Sequence, residues 1–272
     1  MRGSPDLEGN QQIMSMQSLG FAAQSVVGRV REHNEDAVLC LPEFGLWAVA
    51  DGMGGHRCGE VASALALETL RESVATGDDL ERAIHAANQA ILAAGGEGVG
   101  RRMGSTIVAA RIIGASYEIA WIGDSRAYRI SLGSIERLSR DHSWVQAMID
   151  AGELSVEEAR HHPRRNVVTQ CLGQSEQALE VGRVQGNLAP GELLLLCSDG
   201  LTGELNDEQI HEVCAGAATL DALVEQLIGL ANQRGGKDNI SCIVLGRSVA
   251  ESTKFDARPR NFLSRWLSSR KH

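Results

Sequence analysis

No stretch of this 272-residue chain approaches the roughly 18 consecutive apolar residues of a spanning helix. The purest apolar run, Leu193 to Cys197, has the length of a strand. The opening, Met1 to Gln17, is polar and has no apolar core of a secretory signal. These two absences point to the cytoplasm. The six cysteines include no CxxC pair, which argues against a zinc ribbon or a disulfide knot and for reduced, mostly buried thiols. Positive charge is not in excess: the formal net charge is −9, so a general nucleic-acid binder is disfavoured. No HExxH pair occurs. The glycines at 95, 96, 98 and 100 are followed by no Lys-Ser/Thr, so they read as a flexible loop, not a phosphate loop. Lysine is scarce, with only Lys237, Lys254 and Lys271 beside the many arginines, a skew that fits codon usage better than chemistry.

The charge that is present is unevenly placed. Residues 251–272 hold six basic and two acidic side chains, a net of +4, which leaves −13 on the preceding 250 residues. Within this tail Phe262, Leu263, Trp266 and Leu267 alternate with arginines at helical spacing. That pattern allows a short basic amphipathic helix for docking on a partner or an anionic membrane, against the plainer reading of a frayed terminus. Residues 1–18 lack periodicity and read as a disordered or vector-derived leader.

The body, 19–250, reads as one domain. Short strands are expected at Phe21–Gly28, Ala37–Leu41, Leu46–Ala50, Thr106–Ile113, Tyr117–Ile122, Ala127–Ile130, Leu193–Cys197 and Ile240–Leu245. Helices are expected at Gly59–Val74, Leu80–Ala94, Asp207–Gly216 and Leu220–Gln233. Strands dominate the middle and helices arrive in adjacent pairs, which favours an α+β fold of antiparallel sheets flanked by helix pairs. The polar stretch 139–178, with two short helical pieces and the patch His161 to Arg165, reads as a mobile, flap-like insertion.

Chemistry is concentrated in acidic residues beside glycine or asparagine. They are Glu35-Asp36 after Asn34, Asp51-Gly52, Gly123-Asp124, Asp199-Gly200 and Asp238-Asn239. Twice an apolar strand runs into Asp-Gly. A carboxylate there is held by rigid backbone, and the glycine lets the chain turn and bring its carbonyl near a ligand. Any one Asp-Gly is an ordinary turn. Several at strand mouths can meet at one sheet edge, where mutual repulsion calls for a cation, and oxygen-only ligands suit magnesium or manganese.

Six ordered motifs resemble the metal-dependent protein phosphatases, the PPM or protein phosphatase 2C family, in its bacterial form. They are Gly28 to Asp36, Asp51 to His56 (DGMGGH), Gly104-Ser105-Thr106, Ile122 to Arg126, Ser198 to Leu201, and Asp238-Asn239, together with the stretch His162 to Thr169. The resemblance implies a four-layer α-β-β-α sandwich. It implies hydrolysis of phosphoserine and phosphothreonine in proteins, opposing a Ser/Thr kinase, with two manganese or magnesium ions and a weaker third position.

Residue by residue, the resemblance implies that Asp51 bridges both ions and that Asp199 and Asp238 complete one. The Gly52 carbonyl ligates the other, with Asp36 or Glu35 at or just outside it. Asp124 joins Asp199 at the third position, and Arg31 grips the substrate phosphate. His56 and Asn239 would stand behind these ligands. A hydroxide shared by two ions can attack phosphorus in line, without a covalent intermediate, while Arg31 offers permanent planar charge to the equatorial oxygens. Some members carry a histidine general acid where this chain has Met53, so the leaving oxygen would take its proton from metal-bound water. Two other readings are weaker. A GDSL-type esterase, suggested by Gly123-Asp124-Ser125, needs a DxxH that the chain lacks. A pseudophosphatase, binding phosphoprotein without turnover, is expected to have lost acidic ligands, and Asp51, Asp199 and Asp238 are all present. The oligomeric state leaves no trace in the sequence.

Overall fold

The computed structural model describes residues 19–54, 58–95, 103–174 and 179–247. The leader, the basic tail, His56 and most of the 95–100 glycine loop lie outside the described residues. Strand β1 (Leu19–Val26) leads through a loop to β2 (Asp36–Leu41) and β3 (Leu46–Gly54). Helices α1 (Cys58–Ala75) and α2 (Leu80–Gly95) follow, then β4 (Met103–Ser105), β5 (Ile107–Ile113), β6 (Ser116–Ile122), β7 (Arg126–Ile130) and β8 (Ile135–Arg137). After α3 (Trp144–Asp150) and α4 (Val156–His161) come β9 (Gly182–Asn187) and β10 (Leu193–Cys197). The one-turn α5 (Asp199–Thr202), then α6 (Asp207–Gly216), α7 (Leu220–Arg234) and β11 (Ile240–Arg247) complete the described chain.

The strands form two antiparallel sheets, ordered β1-β11-β10-β7-β8 and β2-β3-β5-β6-β9, with β4 paired to β3. Each central strand is covered on both faces, and its residues alternate between two cores. On β10, Leu193, Leu195 and Cys197 face α6 and α7, whereas Leu194 and Leu196 face the other sheet. On β3, Leu46, Ala48 and Ala50 pack toward α1 and α2, whereas Trp47 and Val49 enter the space between sheets. This double coverage explains why Leu193 to Cys197 is apolar without alternation. The result is the expected α-β-β-α sandwich.

Several elements depart from the sequence expectation. β3 continues through Asp51 to Gly54, because Gly52, Met53 and Gly54 pair with β4. The Asp-Gly is therefore strand, not the turn after it. β8 and β9 were not foreseen: one is three residues long, and the other is a glycine-containing, polar edge strand that offers no apolar pattern. The polar stretch after residue 139 is anchored to the body near both its ends: Asp141 and His142 bind the start of β7 and the turn before it, and fully buried Leu172 bridges to Ser105. On the β10–β11 ladder Cys197 and Cys242 stand opposite each other in register, both buried and both free thiols.

One edge of the sandwich collects the acidic motifs. β1, β3, β6 and β10 run toward it, and β2, β7 and β11 run away from it. The β1–β2 loop, the end of β3, the β6–β7 turn, the start of α5 and the residue before Asn239 therefore meet there. The core that fixes this convergence is testable. Leu196→Ala, which empties a site between the sheets, should lower unfolding stability by about 3 kcal/mol in urea titrations. Val156→Ala, at an exposed position on α4, should change stability by less than about 0.5 kcal/mol.

Candidate active site

The site is built from backbone outward. Asp36 and Asp51 are direct register partners on β2 and β3. Asp51 is fixed on both sides of its peptide: its N–H donates to Thr106 Oγ1 (3.2 Å), and its carbonyl accepts from Thr106 N–H (2.8 Å) and Ser105 Oγ (3.1 Å). Gly52 donates its N–H to the Glu35 carbonyl at 3.1 Å. Only glycine fits there, since a Cβ would collide with the carbonyls of Gly59 and Glu35. A Cβ on Gly59 would fall 2.7 Å from Glu35 Oε1 and 2.8 Å from the Gly52 carbonyl oxygen, so these two oxygen donors converge on the same small gap.

Asp199 opens α5 directly after β10, and Ser198 before it reaches across to the second sheet. The Ser198 hydroxyl donates to Asp36 Oδ2 at 2.7 Å and accepts from the Ser241 N–H at 3.0 Å. The Asp36 N–H donates to Asn34 Oδ1 at 3.2 Å, and Asn34 Nδ2 donates to Ser25 Oγ at 2.8 Å. Asp36 is thus buried in a net of neutral donors that spans both sheets. Asp124 sits on the β6–β7 turn, where Gly123 adopts φ 100°, a conformation that favours glycine. His142 clamps that turn: its N–H donates to the Gly123 carbonyl (2.9 Å), and its ring Nδ1 accepts the Gly123 N–H (3.2 Å). Burial pushes the His142 pKa down, in keeping with a neutral ring that accepts. Arg126, two residues on, donates through Nε and Nη2 to both carboxylate oxygens of Asp141 at 2.6–3.1 Å.

The rim is set by Arg31. Its Nη2 donates to Asp238 Oδ2 at 2.8 Å, while the rest of the guanidinium remains half exposed over Asp51 and Glu35. Met53 lies beyond Gly52 and pairs with Gly104. Ser125, the serine of the esterase-like tripeptide, is 1% exposed and shares a 2.7 Å hydrogen bond with Thr106 Oγ1. It is a strut within the sheet and has no access to substrate.

The electrostatics express the crowding. Asp36, Asp124, Asp199 and Asp238 all push the Asp51 carboxyl upward, on top of a larger effect of burial, and its pKa lies well above the ordinary carboxylate range. Burial first and neighbouring carboxylates second raise Asp36 to about 7 and Asp124 to about 8, and burial with Asp238 raises Asp199 to about 6. Oδ1 of Asp36 and Oδ1 of Asp199 are buried with no hydrogen-bond partner. Such orphaned acceptors are costly unless a cation or a proton meets them. Among the described residues, no three Asp, Glu, His or Cys side chains close into a ready cage. The donors instead line an open edge, which suits small hard cations that keep part of their water shell.

Of the residues anticipated from sequence, Arg31, Glu35, Asp36, Asp51, Gly52, Asp124, Asp199, Asp238 and Asn239 come together here, and His56 lies outside the described residues. The supports Ser198, Ser241, His142 and Asp141 were not foreseen. Ser198 alone carried a signal, as the residue before Asp199-Gly200.

Comparison with known proteins gives the family and the fold. A family model described as protein phosphatase 2C matches residues 29–244. The chain is 35% identical over 238 residues to the serine/threonine phosphatase stp of Listeria innocua, covering 82% of this chain and 94% of that protein. It superposes on the crystal structure of the Mycobacterium tuberculosis serine/threonine phosphatase PstP/Ppp with TM-score 0.77 at 34% identity, covering 85% of this chain and 99% of the other. A further match is the catalytic domain of serine threonine protein phosphatase PstP in complex with two manganese ions, with TM-score 0.76 at 32% identity, covering 85% and 99%. Among the described residues no helix is long and apolar enough to cross a membrane.

The raised carboxyl pKa values have a signed consequence. Aspartates that hold their protons more tightly in the fold than in the unfolded chain stabilise the fold at low pH. That contribution fades as pH rises through the folded values. In chelator, the melting temperature should therefore fall between about pH 5 and pH 8. Manganese should flatten that slope, and calorimetry in buffers of different ionisation heat should show protons released on manganese binding.

Proposed function

We infer that this chain, which belongs to the protein phosphatase 2C family, is a metal-dependent protein serine/threonine phosphatase whose cation-binding and phosphate-binding groups are those at the sandwich edge. The observation that carries this assignment is the convergence of Asp36, Asp124, Asp199 and Asp238 on Asp51, with the Arg31 guanidinium held at the rim. The orphaned oxygens of Asp36 and Asp199 and the all-oxygen donor set fit divalent manganese or magnesium. Asp51 would serve two cations at once, with Asp199 and Asp238 on one and the Gly52 carbonyl on the other. Asp36, through its orphaned Oδ1, or Glu35 would stand at or just outside that second cation. Asp124, on its clamped turn, would offer a third position together with Asp199. Bound there, the cations supply charge neutralisation and make water acidic enough to act as a nucleophile near neutral pH.

The remaining work falls to the protein. Arg31 presents planar N–H donors to the non-bridging oxygens of a phosphoserine or phosphothreonine and orients phosphorus toward the carboxylate edge. Its bond to Asp238 keeps the guanidinium in place before substrate arrives. Met53 has no proton to give, so no side chain at that position protonates the leaving oxygen, and the proton comes from solvent at the edge. With the half-exposed Arg31 at its rim, the site suits a phosphorylated segment of a protein, the product of a serine/threonine kinase.

Turnover of p-nitrophenyl phosphate with manganese tests the assignment. Chelation should abolish activity, and Asp51→Asn should lower kcat by about 10³-fold, the scale of several kcal/mol of lost cation stabilisation. Arg31→Ala should raise KM by about tenfold or more through the lost charged hydrogen bonds. Activity without metal, or an unaffected Asp51→Asn protein, overturns the reading.

A further inference from the structure

Asn239 touches three of the segments that carry the site: the β1–β2 loop, Asp238 and the start of α5. Its side-chain Oδ1 accepts the Glu35 N–H at 2.8 Å. Its Nδ2 donates to the carbonyls of Val27 and His33, both at 2.9 Å. Its own N–H donates to Asp238 Oδ1 at 2.9 Å, which leaves Asp238 Oδ2 for Arg31. Its carbonyl lies so close to Gly200 that no Cβ would fit there, which seats the Asp199-Gly200 turn against it. The residue is 4% exposed, and both amide hydrogens are used.

The three side-chain bonds bracket the loop that bears Arg31, gripping it before, at His33 and at Glu35. Two further contacts press that loop onto the segment before β11 that carries Asp238. The Arg29 N–H donates to the Gly236 carbonyl at 2.8 Å, and Gly28, at φ 78°, abuts the Asp238 carbonyl. Among the described residues Arg31 has no side-chain partner within its own loop. Its hydrogen bond crosses to Asp238, and its side chain is half exposed.

We propose that Asn239 is the positioning residue that sets the distance between the phosphate-gripping Arg31 and the carboxylate edge. It acts through the Arg31 loop and not through the cations. The tie to Asp238 is insulated by chemistry, because it uses the main-chain N–H of residue 239, which every non-proline substitution retains. The side chain serves the Arg31 loop, and its bond to Glu35 there is to the main-chain N–H and not to the carboxylate. Substitution should therefore weaken the hold on phosphate far more than the hold on manganese.

This proposal rests on the phosphate-binding reading of Arg31, and a double-mutant cycle separates the two. Arg31→Ala, Asn239→Ala and the double variant are compared by KM for p-nitrophenyl phosphate, by competitive inhibition with inorganic phosphate, and by manganese titration calorimetry. Asn239→Ser, which keeps a small polar side chain, replaces Asn239→Ala if that variant does not fold. Asn239→Ala should raise KM and the phosphate inhibition constant by about tenfold, the scale of one lost hydrogen bond to a charged partner, with manganese affinity changed less than about threefold. In the Arg31→Ala background the same substitution should add less than about twofold. If Arg31→Ala leaves KM unchanged, the reading of Arg31 fails. If Arg31→Ala has its effect but the two substitutions are additive, or if Asn239→Ala weakens manganese binding as much as phosphate binding, the positioning role of Asn239 fails.

Discussion

The governing constraint is the repulsion among carboxylates held at one edge of a sandwich. Asp51 sits among four other aspartates, three of them carrying raised pKa values, and burial removes the water that would screen them. Among the described residues no lysine or histidine pairs with these aspartates. Arg126 is committed to Asp141, and Arg31 stays at the rim. The restraint comes from neutral groups: the hydroxyls of Ser198 and Thr106, the amides of Asn34 and Asn239, and the peptide ladders of two sheets. Neutral supports hold a carboxylate in place without cancelling its charge. That leaves the charge available to divalent ions.

The four layers make such a site affordable. Because β3, β10 and β11 are packed on both faces, their ends are set by cores remote from the charges. The site residues then need few local contacts of their own. Glycine appears where strands or loops come closer than a side chain allows, at Gly52 against Gly59 and at Gly28 against Asp238. These close approaches tie the β1–β2 loop and the β3 end to the rest of the edge, so the phosphate-binding and cation-binding groups share one framework.

Much of this was legible in the sequence, for identifiable reasons. Leu193 to Cys197 announced a fully buried strand by its unbroken apolar run, and the helices of both outer layers showed their spacing. The acidic motifs could be grouped because each stands beside a strand end and their order is distinctive. What stayed hidden was of two kinds. Short or polar strands such as β8 and β9 take their conformation from a neighbour and not from their own residues. The extension of β3 through Asp51 is a case of the same effect, with β4 overriding a glycine-rich segment that reads as a turn. The supporting hydroxyls and the His142 clamp were hidden because single polar residues carry no pattern. Ser198 meets Asp36 across 162 positions of sequence, a pairing only the folded chain reveals.

The facing thiols of Cys197 and Cys242 have a consequence for how the molecule can be observed. Three cysteines, Cys197, Cys214 and Cys242, are sealed in the core, while Cys40, Cys58 and Cys171 are partly open. A thiol reagent will therefore meet this protein at two speeds. The first three modifications report local accessibility, and the rest wait for the layers to part. Because Cys197 lies two residues before Asp199, the slow phase is a clock for the opening of the strand that carries the site.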